Sequence, residues 1–64
     1  MKYPDIHVKL SGEDGNAFAI IGAVQREMKQ AGVSAEERNA FFGEATSGDY
    51  DNVIQTAMRW VNVS

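Results

Sequence analysis

Arg59-Trp60-Val61-Asn62-Val63-Ser64 decides the fold, because it reads both as the end of a helix and as a strand. Val61 continues an apolar stripe that starts at Tyr50, so a helix could run on through it. The stretch is also β-branched and aromatic, the composition that suits a strand. Another segment tips the balance. In Asp5-Ile6-His7-Val8-Lys9-Leu10-Ser11, the apolar Ile6, Val8 and Leu10 alternate with polar residues. A period of two marks a strand with one buried face. Pro4 stands just before it, where a missing N–H costs least. Without the tail this strand would have no partner, and its backbone groups would go unpaired. The expected architecture is therefore α+β in the order β-α-α-α-β, with three helices packed on one face of a small two-stranded sheet formed by the chain ends. Parallel and antiparallel pairing of those ends both remain open.

The middle of the chain reads as three helices. From Ala17 to Ala31, the residues Ala17, Ile20, Ile21, Val24, Met28 and Ala31 share a stripe at helical spacing. Asn16 or Asp14 can cap its start, since a short polar side chain accepts from a free N–H of the first turn. Gly32 can supply the left-handed residue that ends it, with Val33 packing back on Met28. Gly22, inside the helix, predicts close approach of another backbone, because glycine there costs about 1 kcal/mol against alanine. Ser34-Ala35-Glu36-Glu37 reads as a capping box in which Glu37 reaches back to the Ser34 amide. That second helix runs to about Thr46, with Arg38, Phe41, Phe42 and Ala45 on one face. Gly48 closes it and Asp49 caps a third helix, whose stripe is Tyr50, Val53, Ile54, Ala57 and Met58. Asp49 and Asp51 suit the positive end of its dipole.

Composition narrows the functions. The 64 residues predict a single small domain, 1–64, without a cleft between domains. The chain has no cysteine and one histidine, His7. That excludes disulfides, thiolate zinc sites, cysteine nucleophiles and multi-imidazole metal sites within one chain. The apolar share of 44% fits a folded protein. The absence of cysteine fits a reducing compartment, and no signal-peptide pattern opens the sequence, so the expected location is the cytoplasm. The longest apolar run, Ala17 to Val24 around Gly22, is too short to span a bilayer, and no membrane association is expected. A net charge of −3, with six scattered basic residues, disfavours nucleic acid. Glu36, Glu37, Glu44, Asp49 and Asp51 give the middle an acidic bias that a basic partner could use; a solvated helix face with helix N-terminal charges accounts for it more simply.

Motifs for chemistry are thin. Gly12-Glu13-Asp14-Gly15-Asn16 precedes a helix, but it lacks the dinucleotide fingerprint and the P-loop ending, and its acids would repel phosphate. Asp49-Tyr50-Asp51 with Glu44 offers carboxylates, yet a calcium loop needs more oxygen ligands at set spacing, and glycoside hydrolysis needs a cleft flanked by the pair. Helix capping explains them more simply. No catalytic residue, metal site or cofactor is expected, and the chain does not read as an enzyme.

Two stretches look familiar. Ser11-Gly12-Glu13-Asp14-Gly15-Asn16-Ala17-Phe18-Ala19-Ile20-Ile21-Gly22 resembles a segment of small hypothetical proteins of bacteria and their phages. Glu44-Ala45-Thr46-Ser47-Gly48-Asp49-Tyr50-Asp51-Asn52, followed by the late Trp60, resembles the same proteins. The resemblance implies a bacterial or phage origin. It brings no activity, ligand or residue role with it.

The expected function is a non-enzymatic protein–protein interaction module, its partner either another protein or a second copy in a homodimer. If Val61 and Val63 face the helices, Trp60 and Asn62 face outward with His7 and Lys9. Trp60, His7, Lys9 and Asn62, joined by Tyr3, then form the candidate partner surface, with tryptophan as its anchor. The competing arrangement folds Trp60 over the end of the core. The alternative function is a small nucleic-acid or nucleotide binder that stacks bases on Trp60 beside Lys9 and Arg59.

Overall fold

The computed structural model describes residues 1–9 and 16–64. Strand β1 (Tyr3–Val8) is followed by helices α1 (Ala17–Gln30), α2 (Ala35–Ala45) and α3 (Tyr50–Trp60), and by strand β2 (Val61–Val63). The two strands pair in parallel, with Tyr3 opposite Val61, His7 opposite Asn62 and Val8 opposite Val63. Parallel neighbours need a long crossover, and the three helices supply it. The β-α-α-α-β order and the pairing of the chain ends are as the sequence implies. Pro4 lies inside β1, because pairing begins ahead of it at Tyr3. The ladder is irregular between Tyr3 and His7. Leu10 and Ser11 of the expected first strand, the Gly12–Gly15 turn and the possible cap Asp14 lie outside the described residues.

The core follows from the helical stripes. Ile20, Ile21, Ala23, Val24 and Met28 of α1 meet Phe41 and Ala45 of α2, Val53, Ala57 and Trp60 of α3, and Ile6, Val8 and Val61 of the sheet. Asn16 caps α1 by accepting from the Phe18 amide at 2.9 Å. Gly32, at φ +88°, ends it, and the Val33 amide donates to the Met28 carbonyl at 2.9 Å. That is the left-handed stop only glycine adopts without strain. Ser34 accepts from the Glu37 amide at 3.2 Å to start α2, and Asp49 accepts from the Asn52 amide at 3.0 Å to start α3.

Several expectations about faces are corrected. Gly22 is exposed, and a methyl group there would meet none of the described residues within 4 Å, so no described backbone approaches it. Ala31 lies beyond the last turn of α1 and is exposed, because the chain turns away at Gly32. Phe42, Tyr50 and Met58 are exposed. Of the two-residue-wide stripe expected on α2 only Phe41 and Ala45 are buried, and the buried face of α3 is rotated from the expected one to Val53, Thr56, Ala57 and Trp60. Glu37 does not close the capping box. Its carboxylate turns instead to β1, 2.6 Å from Lys2 Nζ and accepting from the Tyr3 hydroxyl at 2.9 Å. Gly48 leaves room for Asn52, whose side-chain amide donates to the Glu44 and Ala45 carbonyls and so satisfies the end of α2.

Candidate functional site

The five residues expected to form one surface divide into two groups. Trp60 is not on the surface. It is 6% exposed and lies at the end of α3, with its ring edge-on to Phe41 at 5.7 Å and tilted against Tyr3 at 6.2 Å. Lys2 Nζ sits 4.3 Å from the ring centroid. The indole Nε1 donates to Glu44 Oε2 at 3.2 Å, and the Arg59 guanidinium donates to Glu44 Oε1 at 2.9 and 3.3 Å. The strand begins only at Val61, so the alternation that would turn Trp60 outward does not reach it. Helical direction governs instead, and Val53, Ala57 and Trp60 stand at i, i+4 and i+7. That spacing was a usable signal in the sequence, and it favours the arrangement over the end of the core. Tyr3 is half-buried in the same corner, its hydroxyl held by Glu37.

The corner is also an electrostatic clasp. The Glu37 carboxyl is held below its ordinary value by hydrogen bonds from Lys2 and then Tyr3. Glu44 is likewise lowered, first by Arg59 and then by Trp60. Glu37 in turn raises Lys2 and Tyr3. Thus two of the five acids of the acidic middle are engaged inside the fold, and Asp49 is a helix cap. Among the described residues, no three His, Asp or Glu side chains gather as metal ligands. The stacking arrangement of Trp60 with Lys9 and Arg59 is not assembled, since the indole is buried and Arg59 is paired with Glu44.

The second group is the open side of the sheet. Asp5, His7 and Lys9 are exposed along the strand, while Ile6 and Val8 point into the core. His7 lies beside the half-buried Asn62 on the outer face. The Val8 carbonyl accepts from the Ser64 amide at 3.0 Å, so it points toward β2. Successive carbonyls alternate along a strand, so the N–H and C=O of His7 point to the other edge, which has no neighbouring strand among the described residues. A groove of about 540 Å³ borders β1 at Pro4, Asp5 and Ile6 and the α1–α2 corner at Gly32, Val33 and Ser34. None of its described lining residues belongs to β2. A smaller groove of about 230 Å³, mostly apolar, runs between the exposed rings of Phe18 and Tyr50. Among the described residues, no helix is long and apolar enough to cross a membrane.

Comparison with protein families, characterised proteins and solved structures found no match to this chain.

Proposed function

We propose that this chain is a non-enzymatic protein-interaction module of the cytoplasm that binds its partner along the free edge of β1. The observation that supports this reading is the edge itself: His7 directs its backbone donor and acceptor away from β2, beside exposed side chains and an open groove. An unpaired edge is a ready template for an added strand, and strand addition is a common mode of peptide recognition. The bacterial or phage origin implied by the sequence resemblance is compatible with such a module. The cysteine-free composition favours the reducing cytoplasm.

The test is a binding comparison of wild type with His7→Pro. Proline deletes the N–H on the free edge and leaves the β1–β2 ladder intact, because the groups facing β2 belong to its neighbours. Far-UV circular dichroism checks the fold. A partner held by wild type and lost by His7→Pro supports the reading, and equal retention overturns it. A photo-crosslinking residue placed at position 7 reports the same contact without proline; one at the exposed Lys29 on α1 serves as the control.

A further inference from the structure

We infer that the partner at this edge is a second copy of the same chain, paired antiparallel along β1 about His7. This rests on the reading of the β1 edge as the binding site. The argument is charge complementarity along the strand. Its outer face carries Asp5, His7 and Lys9: a negative charge, a centre and a positive charge. An antiparallel copy with His7 opposite its counterpart sets Asp5 against Lys9 twice, once on each side of the two-fold axis. On the inner face the same register sets Ile6 against Val8 twice, so apolar meets apolar. Both subunits then lie with their helices on the same side of one four-stranded sheet, in the order β2-β1-β1-β2.

The backbone agrees with that register. The N–H and C=O of His7 point to the free edge, and because exposed and buried side chains alternate without a break from Asp5 to Lys9, those of Asp5 and Lys9 do too. His7 against His7 and Asp5 against Lys9 therefore fall on the hydrogen-bonded pairs of the antiparallel ladder. Pro4 lies outside the five residues that pair. Charges on edge strands ordinarily block association. Here they block only the wrong registers: an antiparallel copy centred on Asp5 would set Asp5 on Asp5, one centred on Lys9 would set Lys9 on Lys9, and like charges directly opposite destabilise a sheet. A closed two-fold pairing also consumes both β1 edges, so this contact cannot propagate beyond two copies.

Mass by light scattering across concentration tests this with four samples besides wild type. D5K puts lysine opposite lysine, and K9D puts aspartate opposite aspartate. Each is expected to weaken the dimer about 10-fold or more, from two pairs turned repulsive. An equimolar mixture of D5K and K9D re-forms both opposite-charge pairs across the axis, so dimers return. The double variant D5K/K9D keeps the wild-type net charge and dimerises like wild type. A monomeric wild type throughout overturns the inference. So does a mixture that stays monomeric, or K9D without effect, which would indicate a shifted register. A monomeric wild type that still holds another protein in a His7→Pro-sensitive way removes the second copy and leaves the interaction reading. With neither, both fall.

Discussion

Replacing Trp60 with alanine should unfold much of this protein rather than free a binding surface. The indole is 6% exposed and touches two rings, Phe41 and Tyr3, with Lys2 over its face. Truncating a buried tryptophan to alanine costs about 3–5 kcal/mol in transfer and cavity terms. Lost edge-to-face contact adds about 0.5–1.5 kcal/mol. A domain of 64 residues has roughly 3–10 kcal/mol in total, at about 0.05–0.15 per residue. The substitution therefore removes between a third and all of the stability. The assay is urea unfolding followed by far-UV circular dichroism, since the fluorescent reporter is the residue deleted. A lowered midpoint, or no cooperative transition at all, is expected. Trp60→Phe separates packing from hydrogen bonding: it keeps a ring against Phe41, loses the donor to Glu44, and should cost only about 1–2 kcal/mol. If Trp60→Ala lost less than about 1 kcal/mol, the reasoning about this corner would be refuted.

Gly22→Ala should raise stability by about 1 kcal/mol, because the added methyl meets open space and helix propensity improves; an unchanged or lowered urea midpoint would contradict this. Gly32→Ala should lower it by about 1–2 kcal/mol, since a side chain at φ +88° is strained although nothing crowds it; a neutral result in the same assay would argue against the left-handed stop. Stability should fall on acidification. Glu37 and Glu44 have folded pKa values below their ordinary 4.5, so their contribution is complete above that value and is lost as pH drops through the folded values. Urea midpoints measured against pH should show this slope in wild type and a flatter one in Glu37→Gln/Glu44→Gln; equal slopes would remove the clasp. At the alkaline end, the raised Tyr3 and Lys2 pKa values predict stability that is full below their ordinary 10.0 and 10.5 and lost as pH rises through the folded values, and Tyr3→Phe should shrink that limb to the part Lys2 contributes.

Local chemistry was the legible part. Asn16, Ser34 and Asp49 cap the three helices, Gly32 stops the first, and the alternation of Ile6 with Val8 gave the strand its buried side. These features depend on residues within a turn of one another. The misplaced features depend on distant ones. Glu37 satisfies a capping-box pattern, but Lys2 and Tyr3 lie within reach only after the strand docks, and two strong partners outcompete one backbone amide. Trp60 was ambiguous because it sits at the junction where a helical period gives way to a strand period. The direction of pairing and the irregular register between Tyr3 and His7 depend on how three helices fold back between the strands, which no local pattern encodes. Of the candidate surface, the outward alternation of His7 and Lys9 was readable, whereas the open edge beside them became visible only once Ser64 showed which way Val8 points.

The sheet joins the two most distant stretches of the chain: Lys2 bonds to Arg59, and Val8 to Ser64. During synthesis, β1 leaves the ribosome before all three helices and waits for them to emerge before its proper neighbour β2 follows. Helices can form as they appear, but the sheet closes last, so contacts of high sequence separation set the pace of folding. In that interval, both edges of β1 stand open to any other strand. The opposed charges of Asp5 and Lys9 then act as a kinetic filter, discouraging parallel stacking of nascent copies before β2 arrives.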